Sequence, residues 1–208
     1  VIFSDLAQPE IEATYIEGKL VAEKGTYLPT VKRISTEKVQ SSVHIDKFRK
    51  EQLKLNLTSD KARAIEVIPQ EALTNEAIVS VKRDDQGQFV FDPKQDVTKI
   101  AVIERHHNTG NAFVGLLKGY GVKKSIAHDS HNLIVTGTND EDMAAAVKTL
   151  KEQEGGVVLI ESGKIIGNMA LPVAGLMSDL TGEKVAQQEA KINRLAHEVL
   201  GVSNNVDP

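Results

Sequence analysis

Apolar residues recur every second position along several short stretches of the chain, and every third or fourth along a few others. The first spacing predicts half-buried strands and the second amphipathic helices. Ile11 to Leu28 reads as a β-hairpin, with Glu17-Gly18 as its tight turn and Pro29 closing the unit. Ser35 to Ser42 is polar and reads as a linker, after which Asp46 is placed to cap a short helix to about Leu53. Ala62 to Ile68 alternates up to Pro69, Ala77 to Val81 forms a second strand, and Phe89 to Phe91 returns after the turn Asp84-Asp85-Gln86-Gly87. Val97 to Ile103 is almost continuously apolar, as a central strand would be. Gly110 to Lys118 fits a helix carrying Phe113, Val114, Leu116 and Leu117, with Gly119 and Gly121 ending it.

Leu133-Ile134-Val135 is the next strand. Thr138 with Glu141 has the spacing of a capping box and opens a helix whose buried face is Met143, Val147 and Leu150. Gly155-Gly156 ends it, and a hairpin around Ser162-Gly163 follows. The last helix is expected from Gly182 to Leu200, capped by Thr181 and stopped by Gly201. The class expected is α+β: a mixed sheet with two or three packed helices, preceded by a small β unit, with no complete eightfold barrel.

Composition narrows the function. At 208 residues, 40% hydrophobic and 26% charged, the chain is ordinary for a globular protein with a core of its own. A net charge of −4, no long basic run and 4% aromatics argue against nucleic acid as a partner. No apolar stretch reaches the ~20 residues that span a bilayer, so no membrane is expected. The absence of cysteine excludes disulfides and thiolate metal sites and suits the cytoplasm. Val1-Ile2-Phe3 reads as the middle of a strand, so a part of a longer protein is expected.

Four of the six histidines fall in two polar clusters, Glu104-Arg105-His106-His107-Asn108 and His128-Asp129-Ser130-His131-Asn132. Each adjoins a β-type apolar run, where a rigid backbone hands over to a loop. His128 and His131 are candidate metal ligands, with Asp129 as a third ligand or as the group orienting an imidazole. The other reading is a polar loop whose histidines bond to backbone. Glu104-Arg105 is either a local ion pair or places Arg105 to clamp an anion. His106 and His107 should point opposite ways, and Asn108 to Asn111 could cap the helix expected next. His44 and His197 read as surface or satisfied core residues. The phosphate-binding, nucleophile-elbow and zinc-helix motifs are absent.

Several stretches together resemble the microbial adenine deaminases of the amidohydrolase superfamily. They are Ile103 to Asn111, Ser125 to Asn132, Gly137 to Met143 and Leu171 to Ser178. Ser4-Asp5-Leu6 and Val21 to Gly25 resemble the closing strands of that family's small β-sandwich. The resemblance runs over essentially the whole chain, with its motifs in the expected order. It implies residues 1–30 as the end of the sandwich and 31–208 as the C-terminal domain. The implied reaction is hydrolysis of adenine to hypoxanthine and ammonia in purine salvage, by a homo-oligomer with a divalent metal pair, manganese or iron. The chain departs from the family's barrel: it has no His-x-His and no eightfold strand–helix alternation. The ligands of the metal pair are therefore expected outside it, in a barrel domain of the same protein, and the chain alone is expected to be inactive. Glu104, Arg105, His106, His107, His128, Asp129, His131 and Asn132 are expected to border the active site. The alternatives are a non-catalytic assembly domain, or part of another cyclic-amide or purine hydrolase.

Overall fold

A computed structural model describes residues 1–208 except Leu6, Ala72, Ser130, Asp207, Pro208 and the side chain of Asp129. The chain divides into two compact units, Val1–Thr36 and Glu37–Pro208.

In the first unit, β1 (Ile2–Phe3), β2 (Ile11–Ile16), β3 (Lys19–Glu23) and β4 (Thr26–Tyr27) pair in sequence order as a four-stranded antiparallel sheet. The β2–β3 turn is the expected one: Glu17 and Gly18 both take positive φ, 50° and 74°, the twist a two-residue hairpin needs.

The second unit is built on eight strands: β5 (Lys61–Val67), β6 (Thr74–Ser80), β9 (Val97–Ile103), β10 (Ala112–Lys118), β11 (Ser125–Asp129), β12 (Leu133–Gly137), β13 (Gly156–Glu161) and β14 (Lys164–Ala170). Their order is β14-β13-β11-β12-β9-β10-β5-β6. Every junction is antiparallel except β10–β5, where Leu117 lies opposite Ile65 and Lys118 opposite Glu66. The short β7 (Lys82–Arg83) and β8 (Phe89–Val90) form a separate hairpin.

Helix α1 (Asp140–Glu152) covers one face of this sheet. Met143, Ala146, Val147 and Leu150 pack on Ala101, Ile103, Ala127, Leu133 and Val135, all essentially buried. Helix α2 (Gly182–Leu195) and the π turn Ala196–Leu200 cover part of the other face, packing Ile192, Ala196 and Leu200 on Ile126 and Leu159. The class is thus α+β with two helices on a large mixed sheet, and no barrel closes. Among the described residues, no helix is long and apolar enough to cross a membrane.

Five local readings differ from the structure. Gly110–Lys118 is not a helix: Ala112–Lys118 is β10, paired along its whole length with β9. Val97–Ile103 is central and needs partners on both edges, and a run apolar on both faces looks alike to either period. The polar composition of Ser125–Asp129 hides β11, which lies between β12 and β13. Helix α1 is capped by Asn139, not Thr138: the Asn139 amide oxygen accepts the Asp142 N–H at 2.8 Å. The segment after Asp46 makes only the 3-10 turn Lys50–Leu53, and the last helix loosens into its π turn after Leu195.

Candidate functional site

Ile103 lies opposite both Ala112 and Leu133, so the β9–β10 loop and the β11–β12 turn leave the sheet at one edge. The two histidine clusters are those connections. They meet where His106 Nε2 lies 2.5 Å from the His131 carbonyl oxygen. A carbonyl oxygen only accepts, so the ring donates this bond through its Nε2–H. His106 and His107 are exposed, their ring centroids 6.4 Å apart and tilted by 57° rather than opposed.

Glu104 shapes this loop. Its carboxylate accepts from the N–H groups of His106, His107 and Thr109 at 2.5, 2.7 and 3.1 Å, and from the Thr109 hydroxyl at 2.8 Å. Those donors, the Thr109 amide foremost, favour the charged form and hold the carboxyl at about 2. A carboxylate so engaged organises a loop and is a poor proton acceptor near neutrality. Of the two alternatives for Glu104-Arg105, the local ion pair is not among the described contacts of the Glu104 carboxylate. No helix follows for Asn108 to cap; Asn108, at φ 51°, accepts the Lys47 N–H and donates to Asp46 instead.

Arg105 turns inward and is 2% exposed. Its guanidinium donates to the Ser42 carbonyl and hydroxyl at 3.4 and 3.3 Å and to the Ala174 carbonyl at 3.1 Å. It thereby fastens the loop containing Leu171–Ser178 to the same edge. That loop is tightly built: Ala174 and Gly175 have positive φ, and the Ala174 N–H donates to the Val39 carbonyl at 2.6 Å. Gly155 makes this approach possible, because a Cβ there would lie 2.4 Å from the Gly175 Cα. Sequence reading assigns no site role to Ser42 or Ala174: the run Leu171–Ser178 signals Ala174, while Ser42 lies at the end of a stretch that reads as a linker.

His128 stands inside β11, opposite Ile134 and half-buried. It borders a cavity of about 270 Å³ whose lining includes Ile100, Tyr120, Ile126, Ile134 and Thr136. His131 is exposed and Asn132 half-buried. The role expected of Asp129 falls on a side chain outside the described residues. Of the other histidines, His197 Nδ1 lies 3.2 Å from the Val202 carbonyl oxygen. Among the described residues, no group of three or more His, Asp or Glu side chains is arranged to hold a metal ion. With Glu104 engaged by its loop and His106 Nε2 by a carbonyl, the described residues of this edge form no ligand set for a metal pair. Its chemistry is that of exposed imidazoles held in place by a buried arginine and a hydrogen-bonded loop.

A family model described as the adenine deaminase C-terminal domain matches residues 71–208. The adenine deaminase of Ligilactobacillus salivarius is 48% identical over 213 residues, covering 100% of this chain and 37% of its own length. An adenine deaminase 2 of Desulfotalea psychrophila is 42% identical, and one of Latilactobacillus sakei 39%, with the same coverage of each chain. The chain thus spans 37% of the length of the curated relatives it matches.

Proposed function

Because the chain belongs to the adenine deaminase C-terminal domain family, we propose that it works as the C-terminal part of a longer hydrolase that converts adenine and water to hypoxanthine and ammonia. The first strands complete a β-sandwich of that enzyme, and the eight-stranded unit is its C-terminal domain. The divalent metal pair, manganese or iron, is held by a barrel domain outside the chain, and no ligand to it is assigned here. The enzyme serves purine salvage in the cytoplasm as a homo-oligomer.

The observation that carries the reading is convergence. Three of the stretches that resemble the adenine deaminases, Ile103–Asn111, Ser125–Asn132 and Leu171–Ser178, meet at one sheet edge through Arg105–Ala174 and His106–His131. This edge borders the active site. The exposed imidazoles of His106 and His107 are suited to hydrogen-bond a purine ring nitrogen or to carry a proton to or from it.

In the full-length enzyme, His106→Ala is expected to lower kcat/KM for adenine about 10²-fold or more with the melting temperature nearly unchanged. His128→Ala is expected to follow the same pattern to a smaller degree. Ammonia release and thermal unfolding, measured on one preparation, separate the alternatives. Wild-type kinetics from a folded His106→Ala enzyme would leave the second reading, a domain for assembly alone. The structural engagement of Glu104 and Arg105 favours that reading. The 208-residue chain by itself is expected to release no ammonia from adenine with manganese, iron or zinc present.

A further inference from the structure

The two faces of the large sheet are unequally covered. Opposite α1, helix α2 and the π turn shield the β14-β13-β11 portion, while β12, β9, β10, β5 and β6 carry apolar side chains beyond it. Register places His128, Ile134, Val102 and Phe113 in one row across four strands. A parallel row holds Thr136, Ile100 and Gly115, and on the neighbouring hairpin Arg63 lies opposite Ile78. Phe113 is 72% exposed, Ile78 64% and Ile65 43%. Contiguous apolar side chains of this size on a sheet face mark an interaction surface.

Gly115 makes the surface specific. It sits mid-strand with ordinary φ, and a Cβ there would meet nothing within 4 Å. Neither backbone conformation nor packing within this chain demands glycine. Glycine in a strand interior weakens it and commonly marks the close approach of another backbone. Here it leaves a notch among Ile100, Phe113, Leu117 and Arg63. The exposed Arg63–Glu76 ion pair, 3.3 Å, supplies a polar rim.

We propose that this face is the seat of the part of the enzyme outside the present chain, an apolar surface whose protruding backbone or small side chain enters the Gly115 notch. The proposal rests on the functional reading above. Two observations select the occupant. The matched relatives are 37% covered by this chain, so most of each molecule remains to be placed against it. The row Phe113-Val102-Ile134-His128 runs directly beside the sheet edge formed by Ala112, Ile103 and Leu133, so whatever covers it lies next to the edge where the histidine clusters meet. A second copy would cover the face without bringing the rest of the enzyme to that edge.

The test uses the full-length enzyme with single cysteines at Ile78→Cys, Phe113→Cys and, as an exposed control on α2, Lys191→Cys; the chain has no cysteine of its own. Modification by a thiol reagent is followed at each position by peptide mass mapping. Ile78→Cys and Phe113→Cys are expected to react roughly ten-fold or more slowly than the control, at every protein concentration. Rates equal to the control overturn the proposal. So does protection that vanishes on dilution as the native mass falls to that of a monomer, which would assign the face to a second copy. Adding Gly115→Val is expected to raise both rates towards the control, because the added methyls fill the notch that the docked surface enters while meeting nothing within this chain. Unchanged protection in that variant overturns the notch. Labelling reads docking and the His106→Ala kinetics read the active-site edge, so either idea can fail alone.

Discussion

The two sheets of this chain use similar residues to opposite ends. In the four-stranded sheet no described residue from Val1 to Thr36 is buried; Ile11, Ile16 and Tyr27 are each about 60% exposed. In the eight-stranded sheet Ala101, Ile103, Leu133 and Val135 are fully buried. Both have good hairpins and paired strands. The difference is a second layer: α1 covers the large sheet, and no described residue of the small one is buried. Strand pairing alone gives marginal stability, and a sheet holds when one face is packed. The large unit therefore owns its stability, while the small one has the character of half a structure.

The strongest way to break this contrast is to remove methyl groups from each sheet. Leu133→Ala is expected to cost about 2–5 kcal/mol in urea unfolding followed by circular dichroism, through lost transfer energy and the cavity left under α1. Ile11→Ala should leave that transition within ~0.5 kcal/mol. An equal loss at Ile11 would show that the small sheet is buried against something after all.

A smaller effect is expected from Arg105→Ala, about 2–3 kcal/mol, because the carbonyls of Ser42 and Ala174 lose a buried donor. Proteolysis of the folded variant should cut first near Ala174. If Ser42–Ala174 stays resistant, the loop is held by other contacts.

Acid sharpens the contrast further. The Glu104 carboxyl, held at about 2 against an ordinary value of 4.5, binds fewer protons in the folded state between those values. The stability it contributes is complete above about pH 4.5 and is lost as pH falls through about 2. Glu104→Gln should flatten the dependence of unfolding on pH in that window, and a curve parallel to wild type would remove Glu104 from the account. The smallest effect belongs to His197→Ala, whose contact with Val202 is worth about 1 kcal/mol, with kcat/KM of the full-length enzyme unchanged.

These contrasts also explain what could be read from residues alone. β5, the β13–β14 hairpin and α1 carry a clean period of two or of 3.6 between turn residues, and they were legible. β10 was misread because Phe113 and Leu117 face one side while Val114 and Leu116 face the other, which leaves no polar phase to fix the period. β11 was hidden by its serine, histidine and aspartate. The shared edge of the two clusters follows from the pairing of β9 with β12, both of them apolar runs that the sequence marks as strands. The inward turn of Arg105 did not, since its partners lie 63 and 69 residues away in sequence. Spacing along the chain carries no trace of such contacts.

The single parallel junction of the large sheet has a kinetic consequence. Every other neighbour of the sheet joins through a hairpin or a long antiparallel ladder, but β5 meets β10 over two residue pairs whose members are 52 positions apart. Closing that loop costs entropy before any contact repays it, so the β5–β6 hairpin should dock late in folding. Native-state hydrogen exchange is expected to show Lys61–Ser80 opening as a unit at lower free energy than β9 and β12, with the hairpin's own cross-strand bonds intact.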